Sequence, residues 1–528
     1  MSSSSSSSGD MMGAEAAHLS VREVALAPDV LLRALLRLDA GRRVQILDSG
    51  GARPPDARFL IAGFDPFELI EARGQRLRIT RPRESSEEFA SGDVLAMLDA
   101  RLQSYSTESH STARRLAASV PVAGACIATF SYELAHGMDR LRIDGAPSDA
   151  NADAAAAAEP DAVLAFYDTL VIHDYERRAS LIVSRSGPER LEQAYETISH
   201  AASSTTGDDD NVGAATTTTL PRTPDLLNRP MPGRDVDNDF ARRELSGGSV
   251  ASNFTRDEYL AAIGRIKEHI AAGDIYQANL TQRLSVALHD EATPESIFLS
   301  LRRDHPAAFA AFIRRREDTV ISASPERFLR VETQAGAPVR RVEAWPIKGT
   351  RPRGKSAAED ARLRAELQQS EKDRAENVMI VDLLRNDLGR VCRYGSIEVT
   401  ELCAIQEHPT LFHLVSKVRG ILREEVRAGE LLRATFPCGS ITGAPKLRAM
   451  EIIDAVERVP RGLSMGAIGY FSFDGRMDLS VAIRTMVVRE RRASFNVGGG
   501  IVADSDPALE YEETLTKARA LLYALAAH

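Results

Sequence analysis

Residues 200–252 divide this 528-residue chain in two, and the division limits what it can fold into more than any other feature. Ser203-Ser-Thr-Thr-Gly-Asp-Asp-Asp and the run Thr216 to Thr219 hold too little apolar surface to bury a core, so they read as a long solvated linker or insertion. Residues 1–18, which open on a serine run, read as disordered for the same reason. An ordered core must then come from 19–199 and 253–528. In the first part Val44 to Gly51 reads as a strand entering a tight turn, followed by strands Phe59–Phe64 and Gln75–Ile79. Asp93 is placed to cap a helix. Ala125 to Glu133 reads as a buried strand, Ala150 to Ala158 as an exposed insertion, and Val163–Ile172 with Ala179–Val183 as a closing hairpin. In the second part, Thr255-x-x-Glu258 is a capping box before Tyr259, Ile263, Ile266 and Ile270 at helical spacing, and Gly273 ends that helix.

The strand from Ile275 to Val286 alternates. Tyr276, Ala278, Leu280, Leu284 and Val286 share one face; Gln277, Asn279 and Thr281 share the other, which faces either water or a polar cleft. The net charge of −9, with no dense basic stripe, argues against nucleic acid as a partner. No apolar run reaches the roughly 18 residues of a membrane span. The serine-rich start lacks the basic and apolar regions of a secretory signal, and the four scattered cysteines show no metal spacing. A cytoplasmic location is expected.

One stretch stands apart: Ala344-Trp345-Pro346-Ile347-Lys348-Gly349-Thr350, with the chain's only tryptophan. Pro346 stiffens the approach and Gly349 lets the backbone pass close to whatever lies beside Lys348. An amine held there is a candidate nucleophile, although neutralising it at pH 7 requires about 4.6 kcal/mol from its surroundings. Upstream, Val320 to Phe328 reads as strand, turn and strand with Glu326 near the turn, and Val342 leads into the Lys348 stretch. If the strands form a hairpin, Glu326 approaches Lys348, either as acid and nucleophile or as an ion pair.

Acids recur at helical i, i+3 spacing in two places, Asp373 with Glu376 and Glu510 with Glu513. Asp506-Pro507 marks the start of the second helix. Each pair alone is a solvated helix face; two such faces converging would suit Mg²⁺, which takes one or two carboxylates and keeps positions open. Gly439 to Lys446 is a glycine-bearing loop entering a helix, without the spacing of a P-loop. Gly498-Gly499-Gly500 follows the strand Ser494–Val497 and offers backbone amides to a carboxylate. Arg484, among apolar neighbours in a strand from Leu479 to Val488, needs an anion from protein or ligand. His413, in the strand Leu411–Val418, is a ligand donor or a satisfied core histidine. Taken together, acids for a metal, several anion donors and one special lysine point to a small polyanionic organic substrate.

These residues also carry a resemblance. Asp274-Ile-Tyr-Gln277-Ala-Asn279-Leu, Ser324-Pro-Glu326, Pro346-Ile-Lys348-Gly-Thr350, Glu376-Asn-x-Met-Ile-Val-Asp382, His413-Leu-Val-Ser416, Gly439-Ser440-Ile-Thr442-Gly443-Ala-Pro-Lys446 and Glu513-Thr-x-x-Lys517-Ala resemble the chorismate-utilising enzymes. Leu47-Asp48-Ser49-Gly50-Gly51 and Phe130-Ser-Tyr-Glu133-Leu extend the likeness to the first part. The family includes anthranilate synthase large subunits, aminodeoxychorismate synthases, and isochorismate and salicylate synthases. Anthranilate synthases typically carry alanine where Lys348 stands, and the isochorismate and salicylate branch places a lysine base at Gln277. The chain therefore resembles most the aminodeoxychorismate synthase branch, of p-aminobenzoate and folate biosynthesis. Ser464 departs from the pattern, standing where relatives often place an aromatic.

The resemblance implies an α+β fold: a two-sheet antiparallel sandwich with helices outside and the site in a cleft between sheets. Residues 19–199 would form an N-terminal lobe and 253–528 the catalytic domain. It implies Mg²⁺ held by Glu376 and Glu513, with Asp373 and Glu510 assisting, against the ring carboxylate of chorismate. Lys348 would attack C2 as Glu326 protonates the departing C4 hydroxyl, and ammonia would then displace the lysine. Substrate contacts would come from Gln277, Thr350, His413, Ser440, Thr442, Gly443, Arg484, Gly498, Gly499, Gly500 and Lys517. Because some relatives bind tryptophan in the N-terminal lobe, Asp48 and Ser49 are a candidate tryptophan site. No G-x-C-x-G nucleophile loop is present, so ammonia is expected from a glutamine amidotransferase subunit. The chain ends soon after the acidic helix, so a separate aminodeoxychorismate lyase is expected downstream. The alternatives are an anthranilate synthase large subunit with an unusual lysine, and a non-catalytic chorismate-binding protein.

Overall fold

The computed structural model describes residues 19–50, 58–106, 120–138, 159–204, 249–333, 339–407 and 411–526. Residues 1–18, the alanine run 150–158 and most of the expected linker lie outside these. At the linker's ends the chain is ordered: a helix runs Gly187–Ser203, and Val250–Ser252 is a short strand.

Among the described residues two antiparallel sheets of twelve strands each form the expected α+β sandwich. Across the first sheet the order is Ser20–Val24, Ala179–Ser184, Thr169–Asp174, Phe59–Gly63, Gln45–Asp48, Phe309–Arg314, Thr319–Ser324, Thr485–Arg489, Arg492–Ile501, Gln277–Ala287 and Val250–Ser252, with Gly443–Ala444 on the Gln277 strand. The second runs Ile347–Pro352, Leu411–Ile421, Arg340–Ala344, Arg327–Thr333, Met477–Val481, Ala467–Ser472, Ala125–Phe130, Ala162–Tyr167, Glu68–Arg73, Arg76–Arg81 and Ser86–Ser91, with Glu398–Glu407 on the Leu411 strand. Both sheets run through both parts of the chain. Ile46 pairs with Phe312 in one, and Phe130 with Ala467 in the other. The N-terminal lobe and the catalytic domain therefore share their sheets and do not have separate cores.

Ile61, Ile172, Ile313 and Val487 of the first sheet pack on Ile127, Ala165 and Ile468 of the second. Helices cover the outer faces. The helix Arg256–Ala271 starts at the capping box, where Thr255 Oγ1 accepts from Glu258 N–H and the Glu258 carboxylate accepts from Thr255 N–H. It buries Tyr259, Ile263 and Ile266 against the first sheet. Asp93 caps Val94–Tyr105, and Asp506 accepts from Leu509 N–H at the start of Pro507–Ala526.

The departures from expectation come chiefly where the chain switches sheets. Val163–Ile172 is two strands, Ala162–Tyr167 in the second sheet and Thr169–Asp174 in the first, hinged at Asp168; only the latter forms the hairpin with Ala179–Ser184. The buried strand at Ala125 ends at Phe130, and Tyr132–Gly137 turns as a short 3₁₀ helix. Arg484 is not within a strand. Met477–Val481 belongs to the second sheet and Thr485–Arg489 to the first, and Arg484 sits between them at φ +49. Gly498 to Gly500 lie inside a strand instead of following one, paired with Thr281, Leu280 and Asn279. A Cβ at Gly498 would lie 1.9 Å from Leu280 O, so the glycine answers a close approach of backbones and not a turn.

Candidate active site

The site is built where the chain crosses between sheets. Thr319–Ser324 is in the first sheet and Arg327–Thr333 in the second, so Glu326 stands at the crossing, its carbonyl held by Val481 N–H at 3.0 Å. The expected hairpin of Arg327–Thr333 with Arg340–Ala344 forms, and its register carries Glu326 toward Ile347. Glu326 is 4% exposed. Burial pushes its carboxyl up to about 7, against the opposing pull of the Ser440 hydroxyl, the Lys348 charge and the Ile347 N–H. Its Oε1 has no hydrogen-bond partner among the described residues.

Trp345 lies between two cations, 4.9 Å from the Arg327 guanidinium and 4.2 Å from Lys417 Nζ. After Pro346 the strand Ile347–Pro352 pairs with Leu411–Ile421, with a register shift between Ile347 and Thr350 that re-aims Lys348. Gly349 has φ +83, and a Cβ there would come within 2.8 Å of Leu367 and 2.9 Å of Asp373. Both conformation and space require glycine. Gly349→Ala should cost about 1–3 kcal/mol or more; thermal denaturation of purified protein would show the lowered midpoint. The Lys348 side chain is 13% exposed, its Nζ 3.9 Å from Glu376 Oε2 and 3.5 Å from Ser440 O.

The two acidic faces converge. Asp373 and Glu376 ride on the helix Glu371–Gly389, Glu510 and Glu513 on Pro507–Ala526. Burial raises the Glu376 carboxyl, Asp373 and Glu513 raise it further, and Lys348 and Lys372 oppose them. Lys517 holds Glu513 below the usual carboxylate range from 2.8 Å and also donates to Gly498 O. Lys372 reaches across the two helices to Glu510 at 3.1 Å, while Ser505 Oγ donates to the same carboxylate at 2.7 Å. Asp373 pairs with Arg351 at 3.2 Å. Gly499 faces this cluster: a Cβ there would lie 3.3 Å from Glu510 Oε2 and 3.9 Å from Glu513 Oε1. Among the described residues no three acidic, histidine or cysteine side chains gather closely enough to hold a metal by themselves. The donor set nevertheless fits a hard cation that takes two carboxylates, since Glu376 and Glu513 repel one another from facing helices.

Around this centre are polar groups without partners. Gln277 is fully buried, and neither amide atom has a hydrogen-bond partner among the described residues. Asn279 and Thr281 are buried too, so the polar face of that strand does not meet water. Arg484 is half-buried with no ion pair among the described residues, and burial alone lowers its pKa. A guanidinium so placed, in a strained left-handed residue, is chemically able to hold an anion. Thr350 Oγ1 and His413 Nδ1 are 2.9 Å apart across their strands. Ser440 is buried beside Glu326. The Thr442 hydroxyl turns inward to Cys438 O, and Gly443 packs on Gln277 O, where a Cβ would lie at 2.1 Å. Those two shape the loop, while Lys446 fastens it to Asp387 at 2.6 Å. Ser464 Oγ accepts from Asn496 N–H.

Asp48 and Ser49 stand apart, in the first sheet beside Tyr175 and Arg302. The Asp48 carboxylate accepts from Tyr175 OH, Arg302 Nε and Gly50 N–H; the buried Ser49 hydroxyl has no partner among the described residues. Four neighbours of the site escaped the sequence reading: Lys372, Arg351 and the buried pair Glu457–Arg461. Lys372 alone left a signal, four residues before Glu376 on one helix face.

A model of the chorismate binding enzyme family matches residues 53–523. The chain is 33% identical over 485 residues to anthranilate synthase component 1 of Geobacillus stearothermophilus, covering 91% of this chain and 89% of that protein. It is 34% identical over 480 residues to aminodeoxychorismate synthase component 1 of Salmonella typhimurium, covering 91% and 92%. Among solved structures, anthranilate synthase component I from Streptococcus pneumoniae TIGR4 superposes with a TM-score of 0.66 at 26% identity, covering 95% of this chain and 99% of that one.

Proposed function

Because the chain belongs to the chorismate-binding enzyme family, we propose that it is an aminodeoxychorismate synthase subunit, converting chorismate and ammonia to 4-amino-4-deoxychorismate. Relatives of both names match about equally well, so the choice rests on one observation: Lys348, between Glu326 and Glu376 in a buried cleft, where a primary amine faces a carboxyl held near neutrality. The Lys348 amine attacks C2 of the ring, the double bonds shift, and the C4 hydroxyl departs as water with the proton that Glu326 supplies. Ammonia then attacks C4, the double bonds return, and the C2–N bond to Lys348 breaks. Two allylic displacements replace one difficult substitution and direct nitrogen to C4.

Glu376 and Glu513 would hold Mg²⁺, which when bound neutralises and orients the ring carboxylate. Arg484 meets a substrate carboxylate, Gln277 lines the ring, and the Thr350–His413 pair closes the edge of the cleft. Losing one charge-assisted hydrogen bond, worth about 1.5–3 kcal/mol, should raise the chorismate KM of Arg484→Met about 10–150-fold, with kcat less affected. Steady-state kinetics in chorismate checks this. A glutamine amidotransferase subunit is the proposed source of ammonia, and a separate lyase the proposed consumer of the product. Among the described residues no helix is long and apolar enough to cross a membrane.

Product identity tests the proposal. Purified protein with chorismate, Mg²⁺ and ammonium should yield 4-amino-4-deoxychorismate on chromatography. Anthranilate instead would make the chain an anthranilate synthase subunit. No turnover, even with an amidotransferase subunit and glutamine, would leave a chorismate-binding protein.

A further inference from the structure

The strand Gln277–Ala287 is paired from Ala278 to Ala287 with Arg492–Ile501, but among the described residues its other edge meets strands only at the two ends. Gly443–Ala444 lies beside Gln277 and Ala278, and Val250–Ser252 beside Leu284 to Val286. In between, buried backbone groups of the strand need other partners. A buried ion pair supplies two of them: Arg461 Nη2 donates to Asn279 O at 2.5 Å, and Glu457 Oε1 accepts Thr281 N–H at 2.6 Å. Glu457 fixes the guanidinium from two sides, at 2.9 Å on Nε and 2.6 Å on Nη2. The Tyr132 ring lies 4.5 Å from it, and Glu133 accepts the backbone N–H of Arg461 at 2.5 Å.

The remaining arm of Arg461 reaches the Gly439–Lys446 loop, where Nη1 donates to Ile441 O at 2.8 Å. Ile441 follows Ser440, whose carbonyl accepts from Lys348 Nζ at 3.5 Å and whose hydroxyl, 3.4 Å from Cys438 Sγ, lies on the Glu326 side of the loop. One planar fork thus ties the strand that begins with Gln277 to the loop that carries Ser440. Lysine has no second arm for this task.

We propose that Arg461 is a positioning residue for the reaction: through the carbonyls of Ile441 and Asn279 it fixes Ser440 beside Lys348 and Glu326 and keeps the Gln277 strand in register with that loop. The proposal rests on the assignment of Glu326 as the acid.

The test is the pH dependence of kcat/KM for Arg461→Lys in the full chain, with the amidotransferase subunit and glutamine as nitrogen source. The Ser440 hydroxyl favours the carboxylate form of Glu326. When the loop is released, the alkaline limb of the profile should move to higher pH and kcat should fall about tenfold, with chorismate KM changing less. Ser440→Ala should move the limb the same way, and adding Arg461→Lys to it should move the limb no further. If Arg461→Lys does not accumulate folded, Glu457→Met with Arg461→Met, which leaves neither charge unpaired, is read in its place. A limb that stays put in the Arg461 variant while Ser440→Ala moves it overturns the positioning role and spares Glu326. A limb that neither Ser440→Ala nor Glu326→Gln alters overturns the acid assignment, and the proposal with it.

Discussion

Lys348→Ala should lower the rate of C4 amination by about 10⁴-fold or more, the scale on which loss of a covalent nucleophile acts. No other amine can replace it at C2 without rebuilding the cleft: Lys372 is committed to Glu510 and Lys517 to Glu513 and Gly498 O. Chorismate binding should change far less, since Arg484 and the acidic cluster remain. With C2 no longer occupied by lysine, ammonia can enter there, and a small amount of anthranilate is the expected side product. Chromatographic product analysis with single-turnover kinetics reads both outcomes. Unchanged C4 amination would remove the covalent mechanism.

Glu326→Gln should cost about 10²–10⁴-fold in kcat/KM, because a neutral amide has no proton to give to the leaving hydroxyl. The pH profile carries the sign. An acid with a pKa of about 7 acts while protonated, so kcat/KM of the parent should fall as pH rises through about 7, and this limb should vanish in the variant. Glutamine must supply the nitrogen, because free ammonium gains nucleophile with pH and masks the decline. Stability follows the same group. The folded pKa lies above the unfolded value of about 4.3, so its contribution is complete below that value and is lost as pH rises through about 7. Between pH 5 and pH 8 the variant should therefore gain in thermal midpoint relative to the parent.

Where local chemistry decides, the sequence was legible. The Thr255 capping box, the Asp93 and Asp506 caps and the hairpin that brings Glu326 to Lys348 depend on residues close along the chain. The sheet switches at Asp168, Glu326 and Arg484 were not, because an apolar run looks the same whether it stays in one sheet or passes to another. The glycines at 498–500 misled for a related reason. A glycine run suggests a turn, yet these sit where Leu280 O, Gln277 and the acidic cluster crowd a strand. The contacts that tie Lys372 and Arg461 to the site, to Glu510 and Asn279, lie 138 and 182 residues away, so only the i, i+4 spacing of Lys372 to Glu376 hinted at either. Burial also reversed the plain reading of Gln277, whose polar face is enclosed by protein.

The sharing of both sheets has a cost during synthesis. The Gln45–Asp48 and Ala125–Phe130 strands leave the ribosome early, but their neighbours, Phe309–Arg314 and Ala467–Ser472, are made long afterwards. At roughly 5–20 residues per second, the second of these edges waits about 15–70 s for its partner. For that interval the nascent chain presents bare, apolar strand edges to every other chain nearby, so its yield in a cell should depend on chaperone supply and temperature more steeply than its final stability suggests.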